Sequence, residues 1–347
     1  MPHITAISTA VPPQRYEQMS AYHDLLAPFL SENPRAERIF AGSAIAYRHA
    51  VIDPKTFFER RLSTRERNDL YVQHANDLGE EAIRRCLDAS GTSPDEIDYL
   101  VIISCTGFEI PGLDLTLAKR LGMRPDIRRT CILGMGCYAA FPGLNRAREA
   151  VLAFPDAKVL VLAIELCSLH FQPDATDEIV VSNALFADGA AAILLEGHSE
   201  APSIRIVDTL TLTNYDTLEH MAFHVTDHGY RMVLSSYVPQ ILALAVEEFA
   251  DQLLMRNGLT RNDVAFWAIH PGGKKILDHL QERLGLPDPA MRFSREVMRD
   301  YGNMSSPTVL FVLDAINRSG EPKAGDHGVM MAFGPGLTME SCLVRWE

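Results

Sequence analysis

Two stretches of this 347-residue chain echo one another, and that echo constrains the fold more than any other feature. EIDYLVIISCTG (96–107) leads into LAKRLG, ending at Gly122, and NDVAFWAIHPGG (262–273) leads into LQERLG, ending at Gly285. Each copy reads as an acidic turn, a buried strand, a glycine-containing loop and a helix stopped by glycine. RRTCILGMGCYAA then follows the first copy and REVMRDYGNMSSP the second, which sets Gly136-Cys137 opposite Gly302-Asn303. Two halves packed about a pseudo-twofold axis would bring those residues together at its centre. His270, at the end of the second strand, would reach the same point.

The rest of the chain alternates in the same way. Short continuous apolar runs occur at 97–105, 157–166, 190–197, 264–270 and 327–336, which suits strands buried on both faces. Helical patterns lie between them, at 69–90 and 237–258. A 47% hydrophobic, 22% charged composition is enough for a large core. The first residues, MPHITAISTAVPP, lack the basic and apolar regions of a signal peptide. No apolar run reaches the ~20 residues of a membrane span. These features predict a cytoplasmic protein that does not enter membranes.

Six cysteines without a CxxC pair predict reduced thiols, and twelve histidines without HExxH predict no metal site. A net charge of −13 argues against nucleic acid as a partner. Arginines do gather locally, at Arg35, Arg38 and Arg48 and at Arg60, Arg61, Arg65 and Arg67. They are either an anion site or a solvated face.

GMGCYAAFPGLNRAREA (134–150) carries apolar residues at helical spacing from Cys137 through Phe141, Leu144 and Ala147. A thiol at a helix start meets unpaired N–H groups and the positive end of the helix dipole, which favour thiolate. A buried core cysteine is the plainer alternative. Pro142 and Gly143 predict a kink or a late helix start.

Cysteine, histidine and asparagine together admit two chemistries. In a papain-like protease the Asn orients the His that activates the Cys, but the local signature of that protease is absent here. In a condensing enzyme the Cys holds an acyl thioester. His and Asn then donate to the carbonyl of an incoming malonyl thioester, whose decarboxylation leaves an enolate.

The motifs GMGC around Cys137, NALFADGAAA around Phe186, AIHPGGKKIL around His270, YGNMSSPTVLFVLD around Asn303 and AFGPGLTME run in one order over nearly the whole chain. Together they resemble the type III polyketide synthases, the chalcone synthase-like branch of the thiolase superfamily, in a bacterial form. The resemblance implies a duplicated five-layer α/β/α/β/α thiolase fold. Residues 1–200 would form the half carrying the cysteine, and 201–347 the half carrying His and Asn. It implies a homodimeric acyltransferase that condenses malonyl-CoA repeatedly onto an acyl-CoA or malonyl-CoA starter. Cyclisation to an aromatic or pyrone product would follow. The thioesters are substrates, so no cofactor is implied. A single-condensation ketoacyl synthase and a non-catalytic acyl-binding relative are the alternatives. A hydroxymethylglutaryl-CoA synthase would need a glutamate not evident here.

The resemblance also assigns residues. Cys137 is the nucleophile, and His270 and Asn303 form the oxyanion site. Phe186 matches the gate between CoA tunnel and cavity, and Met232 stands where plant enzymes carry the second gate aromatic. Arg35 and Arg38 match contacts to the CoA phosphates, Gly272 and Gly273 lie by the tunnel, and Gly42 replaces a third basic residue. Cys105, Thr106, Ile110, Cys167 and His170 match the cavity wall. Glu165 and Ser305 match positions where a held water steers aldol cyclisation. Ile110 stands where a smaller residue would open a tunnel for long acyl chains, so short or medium starters are expected.

Overall fold

The computed structural model describes residues 1–235 and 237–347. Nine strands form one mixed sheet, in the order Val264–Ile269, His327–Gly334, Thr338–Trp346, Ile204–Thr213, His3–Ala10, Asp188–Glu196, Val159–Leu166, Tyr99–Ser104 and Arg128–Leu133. Five of these come from the first half and four from the second. The two groups meet only through a short antiparallel contact, His3 with Arg205 and Ile4 with Ile204. That narrow seam lets the half-sheets stack as separate layers.

Helices complete the stack. Thr64–Ser90 and Leu113–Leu121 cover the outside of the first half-sheet. Val238–Arg256 and Lys274–Leu284 cover the second. Ala140–Ala153 and Thr308–Arg318 fill the middle. The result is the five-layer α/β/α/β/α arrangement. Strand sequences explain it, because side chains alternate between faces. In Val159–Leu166, Leu160, Leu162 and Ile164 point into the outer core, while Val159, Val161 and Ala163 point into the central one. A strand with two buried faces needs apolar residues at every position, hence the unbroken runs in the sequence.

The echo is structural in its first part. Each copy opens on a capping box, made by Ser93 with Glu96 and by Thr260 with Asp263. Each helix ends on a glycine in the left-handed region, Gly122 at φ 73° and Gly285 at φ 65°. The echo then breaks. Arg128–Leu133 is an edge strand, whereas Arg292–Tyr301 is a helix. The second segment buries Phe293, Ser294, Val297 and Met298, which is helical spacing and not alternation. The copies converge again at Gly136 and Gly302, both at positive φ, just ahead of the two central helices.

The helix after Cys137 starts late. Gly136–Tyr138 makes a short 3₁₀ turn and the α-helix begins at Ala140. Pro142 falls in its first turn, where no backbone N–H is required. Gly143 lets this helix lie close on the sheet, since a Cβ there would sit 2.2 Å from Ile103 Cδ1. Gly143→Ala should therefore destabilise the protein by about 1–3 kcal/mol. The measurement is the urea midpoint, which should fall while the slope of the transition is unchanged.

Candidate active site

Cys137, His270 and Asn303 line one small buried compartment with Phe186, Met232 and Gly272. It has a volume of about 30 Å³. On one side, across Phe186, Met221 and Phe223, lies a cavity of about 590 Å³. On the other, past Leu234, Gly272 and Ile276, lies a cleft of about 760 Å³ that opens to the surface. These three residues thus stand at a constriction between two larger spaces.

Asn303 is held by a two-bond bridge to the other half. Its N–H donates to Leu185 O at 2.9 Å, and its carbonyl accepts from Ala187 N at 2.9 Å. The side chain is oriented too. Oδ1 accepts from Ser305 N at 2.8 Å, so the amide nitrogen is the end left to donate, with only a 3.5 Å contact to Gly272 O. Beneath the bridge the buried Arg48 donates to the carbonyls of Asn183 and Phe186 at 2.5 and 2.8 Å. Asp188 faces it electrostatically and accepts from Val51 N, Ser168 N and Ser168 Oγ. Phe186 is therefore fixed from its own backbone.

Burial controls the protonation of the pair. It pushes the Cys137 thiol up to about 11, against the opposing hydrogen bond from Ser305 Oγ to Sγ at 3.4 Å. It pushes the His270 imidazole down to about 3. Neither ring nitrogen of His270 has a hydrogen-bond partner among the described residues. Each charge alone loses its water, so thiolate and imidazolium are tolerated only when formed together. The helix start expected to favour thiolate is a single 3₁₀ turn here, and burial opposes it.

Glu165 lies behind the thiol, fully buried. It accepts from Cys105 N, Thr106 Oγ1 and Ser306 Oγ at 2.9, 2.8 and 2.7 Å. Burial raises its carboxyl above the usual range despite these donors. Its hydroxyl partner at 2.7 Å is Ser306. Ser305 turns instead toward sulfur, 3.4 Å from Cys137 and 3.7 Å from Cys105. Ser305 sits at φ 60°, a conformation strained for a residue with a Cβ. Thr308 holds it by donating through both N and Oγ1 to its carbonyl.

The cavity wall contains Cys105, Thr106, Cys167, His170, Phe186 and Ser305, as the sequence predicts. Ile110 does not join them and is corrected. It is 88% exposed on the turn before Pro111, outside the cavity of its own chain, so it offers no internal block to a long acyl group. Met232 does border the compartment. Across its hairpin lies Phe223, paired with it in register, whose ring meets Phe186 edge to face at 5.9 Å. Sequence reasoning missed Phe223; reading 221–234 as two alternating strands would have found it.

Arg35, Arg38, Gly42, Gly272 and Gly273 all line the outer cleft. Lys274 and Lys275 line it too and were overlooked, although they directly follow the PGG motif. Arg35 is paired with Asp177, and Lys274 with Asp278 at 2.6 Å. The remaining arginines do not form one anion site. Arg48 and Arg67 are buried, and Arg67 ties the carbonyls of Leu62, Leu169 and Phe171 together.

Comparisons with known proteins decide the family. Residues 2–199 match the N-terminal domain of the chalcone and stilbene synthases, and residues 211–346 match their C-terminal domain. The chain belongs to the chalcone and stilbene synthase family. It is a type III polyketide synthase, an acyltransferase of the thiolase fold. A 3,5-dihydroxyphenylacetyl-CoA synthase from Amycolatopsis balhimycina is 33% identical, over 98% of this chain and 92% of the relative. A 1,3,6,8-tetrahydroxynaphthalene synthase from Streptomyces peucetius subsp. caesius is also 33% identical, over 99% and 93%. Among solved structures, PKS-I from the brown alga Ectocarpus siliculosus superposes with a TM-score of 0.94 at 31% identity, covering 100% of this chain and 98% of that one.

The coupled protonation makes a direct prediction for this polyketide synthase. Iodoacetamide should alkylate Cys137 at neutral pH in the intact enzyme, and His270→Ala should slow that alkylation by at least about 10-fold. Mass spectrometry of the Cys137 peptide over time gives both rates. Equal rates would show that the thiolate does not depend on His270.

Proposed function

We propose that Cys137 carries starter and growing chain as a thioester while His270 and Asn303 activate malonyl-CoA. The observation behind this is the shared compartment: a nucleophile and two donors lie between a cleft lined by cations and a second large cavity. Cys137 gives its proton to His270 and attacks the starter thioester, releasing CoA. A malonyl thioester then lies with its carbonyl between His270 and the Asn303 amide. Loss of CO₂ leaves an enolate whose charge those donors meet. The enolate carbon attacks the acyl-Cys137 carbonyl and the sulfur leaves, so the chain, two carbons longer, is now on CoA. It returns to Cys137 for the next round, and cyclisation to an aromatic or pyrone product ends the sequence.

In this reading the outer cleft holds CoA, with Arg35, Arg38, Lys274 and Lys275 near its phosphates. The CoA thioesters are substrates and no separate cofactor takes part, since the two donors meet the enolate charge. The enzyme works in the cytoplasm without nucleic acid or membrane. The net charge of −13 opposes nucleic acid, and no helix among the described residues is long and apolar enough to cross a membrane.

We also infer a homodimer. Arg128–Leu133 is a strand at the sheet edge, largely exposed, and Leu133, Phe108, Ile110 and Leu115 are exposed apolar residues. An unpaired edge beside apolar side chains is a natural site for a second copy. Light scattering should give twice the chain mass of 38.5 kDa, and a monomer at micromolar concentration would refute the inference.

The catalytic assignment is tested with malonyl-CoA alone. Asn303→Ala should lower decarboxylation by about 10²-fold or more. Cys137→Ala should abolish condensation yet retain slow CO₂ release. Near-normal decarboxylation in Asn303→Ala would overturn the oxyanion role.

A further inference from the structure

Tyr230 lines the 590 Å³ cavity, and its phenol hydroxyl has no hydrogen-bond partner among the described residues. The ring around that hydroxyl is held tightly. It stacks on His170 with centroids 4.0 Å apart and planes 5° from parallel. His170 in turn is locked by two hydrogen bonds. Its Nδ1 accepts from Tyr230 N at 3.1 Å, so the proton lies on Nε2, which donates to Thr106 O at 2.7 Å. Both nitrogens are used, and burial holds the ring neutral, with its pKa pushed down to about 4. His170 therefore has no proton to exchange with a substrate. It acts as a platform, and the hydroxyl on the ring it supports is a polar group left without a partner at the cavity wall.

A rigid aromatic with a free hydroxyl on a cavity wall is a device for holding an oxygen atom. Of the polar side chains on this wall, Thr106 already donates to Glu165 and accepts from Leu166 N. Ser305 is turned toward two sulfurs. A poly-β-keto chain carries a carbonyl on every second carbon and bends freely, so where it is pinned decides which carbons meet. We propose that Tyr230 is a specificity-determining residue that donates a hydrogen bond to a carbonyl oxygen of the growing chain, fixing its fold before cyclisation. His170 is the positioning residue behind it. The proposal rests on the polyketide reading above and adds a determinant of the product.

The test compares wild type with Tyr230→Phe and His170→Gln on malonyl-CoA, reading both malonyl-CoA consumption and the product profile by mass spectrometry. Tyr230→Phe keeps the ring and the stack and removes only the donor. It should leave decarboxylation within about 2-fold, while the ratio of fully cyclised product to early-released pyrones falls roughly 3- to 10-fold, as expected for one neutral hydrogen bond. His170→Gln should shift the ratio the same way, because the platform is gone while Tyr230 remains. An unchanged product ratio in Tyr230→Phe overturns the proposal. So does an equal loss of decarboxylation and of every product, which would mark a general structural role. If wild type itself makes no multi-unit product, the polyketide reading fails first, and the two failures are distinct.

Discussion

Two backbone hydrogen bonds join the halves of this enzyme beside the compartment that holds Cys137, His270 and Asn303. Asn303 donates to Leu185 and accepts from Ala187, so the proposed oxyanion donor of one half and the proposed gate residue Phe186 of the other share one short ladder. Arg48 supports that ladder from below through the carbonyls of Asn183 and Phe186. A charge buried this deeply would be costly alone. It is tolerated because carbonyls and Asp188 surround it. The placement of Asn303 against Phe186 follows from this junction.

The layers serve the junction. Each central helix begins just after one of the converging residues, and the sheets on either side hold those helix starts in place. Glycines at positive φ, Gly136 and Gly302, bring backbone close where side chains would collide. A Cβ on Gly136 would meet Pro335 at 2.6 Å, and one on Gly302 would meet Arg48 at 3.0 Å. Close packing and catalysis thus make the same demand on the sequence.

Much of this was legible from residues alone. The apolar runs marked five strands because both faces of each are buried, and the RLG endings marked matching helix stops. Cys137, His270 and Asn303 could be paired through the echo. The strands Ile204–Thr213 and Thr338–Trp346 were not legible, since polar residues interrupt them and one end of the first is exposed. Arg292–Tyr301 breaks the echo because its buried residues are spaced for a helix, where the matching Arg128–Leu133 is a strand. Ile110 was misplaced because alignment gives a position along the chain but not the direction of a side chain. Phe223 and Tyr230 were missed because a hairpin sets them opposite Met232 and Val225, nine and five residues away, and only the register shows which side chains share a face.

The smallness of the compartment around Cys137 also bears on the water it holds. Its 30 Å³ of space for water centres exceeds the roughly 10–15 Å³ that one water needs. In the proposed reaction a thioester on Cys137 is open to hydrolysis by any water that shares the compartment with a base. An acyl group seated there would have to displace that water, so protection of the loaded enzyme would come from the substrate filling the compartment and not from the protein alone.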